Sequence, residues 1–231
     1  MAGAGRPPRA RRPRLALPGW LLIPAVVGAL LIVLPVLGMI LRIEPGRLWP
    51  LITSEASLDA LWLSLRTAAV STALCLVLGT PMALILARTS FPGNRFVRSV
   101  VLLPLVLPPV VGGLALLYVF GRVGLLGRHL EALGIEIAFS TAAVVLAQTF
   151  VALPFLVVGV EGALRSAGDR HEAIAATLGA SPSTVLRRVT LPLVLPGMGS
   201  GAVLAFAKAM GEFGATITFV SNIPGQTQTL P

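Results

Sequence analysis

Trp20-Leu-Leu-Ile-Pro-Ala-Val-Val-Gly-Ala-Leu-Leu-Ile-Val-Leu-Pro-Val-Leu-Gly-Met-Ile-Leu41 contains no ionisable side chain. As a helix rising about 1.5 Å per residue, it is long enough to cross roughly 30 Å of hydrocarbon. A membrane β-strand would need short alternating segments, which this uninterrupted run contradicts. In lipid, backbone polar groups must be satisfied within the segment, so the reading is helix. A secretory signal has an apolar core of only about 7–15 residues, and Arg11-Arg12 hints only weakly at a twin-arginine signal. The segment is read as a true span.

Four further apolar runs follow, at Leu61–Ala87, Ser99–Phe120, Thr141–Val160 and Leu191–Phe219. The whole chain of 231 residues agrees with them: 55% is hydrophobic and only 12% charged, against about 25% charged in soluble domains. Mean hydropathy is +0.90. A soluble fold could not cover that much apolar surface, and a disordered chain would be rich in charge. The expected fold is an all-α membrane protein, a polytopic helical bundle with five transmembrane helices.

The net charge of +9 would suggest nucleic acid in a soluble chain. Here the arginines lie between apolar runs and act as topology signals, so no nucleic-acid partner is expected. An N-terminus in the cytoplasm places Arg6, Arg9, Arg11, Arg12 and Arg14 inside, with Arg88, Arg95, Arg98, Arg165, Arg170, Arg187 and Arg188. It leaves Arg42, Arg47, Arg122 and Arg128 outside, as the positive-inside rule favours. The expected organisation is a basic cytoplasmic tail over 1–17 and a transmembrane domain over 18–231, multi-pass in the cytoplasmic membrane. Trp20, Trp49, Trp62 and Tyr118 fall near the expected interfaces, as anchors do. Cys75, the single cysteine, lies within an apolar run, has no intrachain disulfide partner and belongs to no metal-ligand cluster.

The longest inward loop, about 161–190, carries specified turn chemistry. Asp169 can cap a short helix through His171–Leu178, and Gly179 can end it in the left-handed region. Ser181 and Pro182 then restart a helix as cap and first helical residue. Ala173, Ala176 and Ala180 allow another backbone to approach. Two readings stand: a helix resting on lipid headgroups, or a docking element for a partner.

The spacing Glu172-Ala173, Ala175, Gly179 and then Val189-x-Leu191-Pro192 resembles the EAA loop of importer-type ABC transporter permeases. In that family the triplet begins six residues before the Gly, where this chain has Ala173-Ile174-Ala175, with the acid one position earlier. Gly211-Glu212-Phe213-Gly214-Ala215-Thr216-Ile217-Thr218-Phe219-Val220-Ser221-Asn222-Ile223-Pro224-Gly225 is similar to a segment of molybdate permeases, and Leu103–Gly113 is typical of the molybdate and sulfate group. The resemblance covers about 50–231. It implies a molybdate importer permease working by alternating access, with sulfate or thiosulfate as the alternative substrate. The implied partners are a second copy of the chain, a pair of cytoplasmic ATPase subunits docked on the loop, an extracytoplasmic molybdate-binding protein and the lipid bilayer. Permeases of this kind continue into one more span, so a sixth helix is expected beyond Pro231.

Lys208 and Glu212, four apart in the fifth run, are either a mutually neutralising pair or part of a gate. Glu212 would repel an anion and is not read as a substrate ligand. Thr216, Thr218 and Ser221 can offer hydroxyls to an oxyanion near the outer mouth, or simply fill a helix face. Arg66 can snorkel to the interface or attract an anion. Leu-Pro-Leu-Val-Leu-Pro occurs at 103–108 and at 191–196, each followed by glycines. This suggests a kinked, closely packed pair of parallel helices. The sequence holds no Gly-x-x-x-x-Gly-Lys-[Ser/Thr], His-Glu-x-x-His or Gly-x-Ser-x-Gly motif. No catalytic residue, metal or cofactor is therefore expected on this chain, with ATP bound by the partner subunit. An ATP-independent channel or a membrane scaffold is the reading from another class.

Overall fold

The computed structural model describes residues 18–221 and 227–229. The basic tail over 1–17, with its five arginines, lies outside them, as do 222–226 and 230–231. The described residues contain helices and no strand. Four helices are long and apolar enough to cross a membrane, and a sharply bent pair makes a fifth if counted as one span. The chain is an all-α, multi-pass membrane protein.

The chain divides into two units, 1–51 and 52–231. The first holds a short 3₁₀ turn, Gly19–Leu21, followed by α1 (Leu22–Leu41), whose mean hydropathy reaches 2.7. It closes with all but the last residue of α2 (Pro45–Ile52).

The second unit is organised around two long helices. α3 (Glu55–Arg88) starts at Ser54, whose side chain accepts from Ser57 N at 3.3 Å. Its 34 residues span about 50 Å, well beyond the hydrocarbon thickness. α7 (Thr141–Ala167) is the most buried of the helices long enough to cross a membrane, and it continues seven residues past the expected span into the segment assigned to the loop. The two meet along a stripe of small side chains on α3: Ala60, Ser64, Ala68, Ser71, Cys75, Gly79 and Ala83, all buried. Spaced three or four apart, they share one helix face and let the helix axes approach closely. Ser71 Oγ lies 3.1 Å from both Val145 O and Gln148 Oε1, which satisfies polar groups buried at that joint.

α10 (Leu191–Met210) packs on both α7 and α3, meeting α7 at Gly197 and Gly201 and placing Ala205 and Ala209 in the core the three helices share. A Cβ on Gly159 would lie 3.0 Å from the Cα of Gly201. The two backbones are therefore in direct contact.

The third expected span is two helices. α4 (Asn94–Val106) and α5 (Pro109–Phe120) meet at 117°. At 13 and 12 residues, neither reaches across the hydrocarbon alone. The repeat at 191–196 shows why. Residues before proline are driven out of the α region, and Pro108-Pro109 places two such residues in a row. Leu107 (ψ 133°) and Pro108 (ψ 136°) are both extended. In the second copy Pro196 is followed by Gly197, and α10 continues unbroken. The two copies thus form one break and one continuous helix, not the matched kinked pair the repeat suggests.

The fifth expected span, Leu191–Phe219, is also interrupted: α10 ends at Met210 and α11 (Gly214–Val220) begins after Gly211–Phe213. α5 and α11 pack on each other and on α7 around Leu116, Val144, Ala147, Ala215 and Phe219. A short helix, α6 (Gly127–Ala132), leads from α5 towards α7.

Replacing Gly159 by Val should force α7 and α10 apart and cost about 1–3 kcal/mol. Gly162, where an added Cβ meets nothing within 4 Å, should accept Ala and gain up to about 1 kcal/mol. Thermal unfolding in detergent checks both. Equal midpoints for the two variants would contradict the contact.

Candidate functional site

Two places gather the chemistry-bearing residues. The first is the surface turn after α7. α8 (Arg170–Thr177) follows Gly168, which has φ +65°, and Asp169. Asp169 occupies the cap position, but its side chain makes no cap bond. Its backbone (φ −109°, ψ −4°) is not the extended geometry capping requires, which corrects the expectation.

The other end of α8 closes as a paired left-handed turn. Ala180 N donates to Ala175 O at 3.1 Å and Gly179 N to Ala176 O at 3.0 Å, with Gly179 at φ +81°. These two bonds satisfy carbonyls the helix would otherwise leave open. Ser181 then caps α9 (Pro182–Val185), accepting from Thr184 N at 3.4 Å, with Pro182 in the first turn. A π-turn, Leu186–Thr190, carries Val189 and joins α9 to α10 at Leu191. Pro192 has no N–H to donate back and its ring clashes with the carbonyl four residues earlier. A widened turn relieves both constraints.

Glu172, in the first turn of α8, faces inward. Its Oε1 accepts from Thr190 Oγ1 at 2.9 Å and from Arg88 Nη2 at 3.2 Å, and its Oε2 lies 3.1 Å from Arg88 Nε. Arg88 Nη2 also donates to Gly168 O at 2.7 Å. Ala173 and Ala176 line an adjoining groove of about 530 Å³ with Leu84, Arg88 and Val185. On the outer side Ile174 and Leu178 are exposed, Leu178 by 83%.

The second place is the junction of α10 and α11. Lys208 Nζ donates to Glu212 Oε2 at 2.7 Å, and Ala215 N donates to Glu212 Oε1 at 2.9 Å. The carboxylate, 1% exposed, is thus shared between an ammonium on α10 and the first turn of α11. It splices the two helices and offsets the amides left open at the second start. Lys208 also lines a cavity of about 140 Å³ beside the α4–α5 break, with Pro104, Pro108, Gly112, Phe150 and Phe155.

The hydroxyls expected to face an anion have local partners. Thr216 Oγ1 donates to Glu212 O at 3.3 Å and Thr218 Oγ1 to Gly214 O at 2.7 Å. Ser221 is exposed with φ +69°, and its carbonyl accepts from Thr227 Oγ1 at 3.3 Å. Arg66 stacks over the Trp62 ring at 4.5 Å, one turn away on α3.

Residues 79–230 match the family described as binding-protein-dependent transport system inner membrane component. The chain belongs to that family. It is similar to the molybdenum transport system permease protein ModB of Mycobacterium tuberculosis, 59% identical over 95% of this chain and 83% of that protein. The corresponding ModB of Escherichia coli is 45% identical over 78% of this chain and 80% of that protein. The probable sulfate transport system permease protein cysT of Zygnema circumcarinatum is 37% identical over 89% and 73%. The matched region of this permease begins within α3 and takes in the α4–α5 break, the surface turn and the α10–α11 junction.

Sequence reasoning paired Lys208 with Glu212, as the structure has them, and singled out Glu172 without its partners. Arg88 and Thr190 lie 84 and 18 residues from Glu172, and no local pattern joins them. Glu161 was missed as well. It is 3% exposed on α7, and its Oε2 accepts from Arg98 Nη2 on α4 at 2.6 Å, with Arg165 Nη2 at 3.5 Å. An acid one turn before an arginine inside an apolar helix was the available signal.

Glu212→Leu would leave Lys208 without its counter-ion and the start of α11 uncapped, costing roughly 3 kcal/mol. Adding Lys208→Met should recover much of that loss. Unfolding midpoints in detergent decide it: a double variant as unstable as the sum of the singles would show that the two side chains act separately.

Proposed function

We propose that this chain is the membrane-spanning subunit of a molybdate importer. The observation carrying the proposal is the 59% identity to a molybdenum permease across nearly the whole chain. Two copies would form the pathway, with an ATPase pair on the cytoplasmic side and a binding protein outside. The N-terminus lies in the cytoplasm, as the arginine distribution favours. This places the α8–α9 turn against the ATPase. The exposed Ile174 and Leu178 support docking there, because a partner surface would remove that apolar area from water. Ala173, Ala175, Gly179, Val189, Leu191 and Pro192 belong to this coupling element. ATP binding on the partner closes the ATPase pair, the element moves with it, and the bundles swing to open outward. The loaded binding protein can bias that equilibrium only by its difference in affinity for the two states.

Lys208 and Glu212 act in this reading at the gate, by holding the broken fifth segment together as it moves. Thr218 and Ser221 stand at the outer mouth in this reading, with Thr216 buried behind them and bonded to Glu212 O. The chain supplies no ATPase site of its own, and ATP is bound by the partner.

With the full chain assembled in vesicles with its ATPase and binding protein, molybdate should stimulate ATP hydrolysis well above sulfate. Equal stimulation would reject the substrate assignment in favour of a broader oxyanion importer. Gly179→Val should uncouple hydrolysis from uptake while insertion and assembly persist. An added Cβ there meets nothing, so the effect is backbone strain of about 1–2 kcal/mol at φ +81°. Unchanged uptake per ATP would refute the docking role.

A further inference from the structure

α8 is too short to be held by packing: it has eight residues and none is buried. What fixes its first turn is the Glu172 carboxylate. Oε1 accepts from Arg88 Nη2, at the last position of α3, and from Thr190 Oγ1, at the foot of α10, while Oε2 lies within ion-pair distance of Arg88 Nε. Arg88 closes the set by donating to Gly168 O, the carbonyl at the end of α7. Two side chains and one carboxylate therefore tie α8 to the three long helices that pack together in the membrane. The ion pair is partly buried, with side chains 25% and 19% exposed, and its several bonds set it apart from the single exposed pairs that contribute little. The opposite end of α8, with Leu178 and Gly179, is tied to none of the three by side-chain bonds and carries the exposed apolar surface.

We propose that Arg88 and Thr190 are positioning residues through which α8 drives the membrane helices, and that the Glu172 carboxylate is the internal joint between them rather than a contact with the ATPase. This rests on the coupling role proposed above. A displacement delivered at Leu178 reaches α10 along the chain as well, through the continuous helical stretch Pro182–Met210, but it reaches α3 through this joint, because α8 has no other polar side-chain link to α3 among the described residues. The position of the acid, one residue ahead of the triplet, fits the assignment: it turns the side chain inward to Arg88.

The test uses the full chain with its ATPase and binding protein in vesicles, with uptake and hydrolysis measured in the same preparation. Glu172→Gln and Arg88→Ala are each expected to lower molybdate taken up per ATP hydrolysed by about tenfold, and the double variant to lose no more than the worse single. Thr190→Val, which is milder and less prone to misfolding, should show a smaller loss of the same kind. The ATPase subunit should co-purify at wild-type yield in every case. The proposal is overturned if the losses multiply in the double variant, if uptake per ATP is unchanged, or if Glu172→Gln alone releases the ATPase. A wild type that takes up no molybdate is a different result, and it fails the functional reading rather than the joint.

Discussion

A backbone amide in hydrocarbon has no partner except its own chain, and this constraint governs the structure. It makes the helices long where they face lipid. It also means that a break in a helix at membrane depth is tolerated only where protein covers it. Two such breaks occur, at Leu107-Pro108 and at Gly211–Phe213. The short helices that follow them, α5 and α11, lie against each other and against α7. Each supplies part of the cover that the other needs. α7, the most buried of the long helices, is the common support.

The buried charges are placed under the same constraint. Two buried carboxylates, Glu161 and Glu212, and the partly exposed Glu172 each bind a basic side chain, and each sits where two or more helices meet. Charge in a low-dielectric interior is costly unless paired and hydrogen-bonded, so such groups tolerate few alternative arrangements. Arg98 joins α4 to α7, Arg88 joins α3 to α8, and Lys208 joins the two halves of the broken fifth segment. Apolar packing here involves many small residues that leave registers loosely specified, and the ion pairs specify them.

Much of this was legible beforehand. Long apolar runs marked the four helices able to cross, because length and hydropathy act locally, while the run at Ser99–Phe120 gave one span where the structure has a pair bent by 117°. Gly179 and the Ser181-Pro182 restart were equally local, since the left-handed turn and the cap depend on neighbouring residues alone. The double proline was visible too, but its consequence depended on adding one pre-proline restriction to the next, and the matching repeat at 191–196 drew attention to likeness instead. The partners of Glu172 lay beyond reach. Arg88 meets it only because a 34-residue helix delivers its last side chain to the end of α7, a coincidence of lengths that no motif encodes. Conversely, the hydroxyls of Thr216 and Thr218 looked available in the sequence, yet helix geometry turns each back to the carbonyl four residues earlier.

The face of α3 that meets α7 is built from Ala, Ser, Cys, Thr and Gly. The large side chains come from the other helix: a Cβ on Gly79 would lie 2.8 Å from Leu156 Cδ2 and 3.2 Å from Leu153 Cδ1, so these leucines seat in the notch that the glycine leaves. Polar contacts fasten the same seam at three heights, from Ser71 Oγ to Val145 O, from Cys75 Sγ to Thr149 O and from Arg88 Nη2 to Gly168 O. Lengthwise travel of one helix past the other would have to lift the leucines from their notch and break all three contacts. The economy of side-chain volume on α3 therefore makes a keyed strut, in which α3 and α7 travel as a single rigid piece.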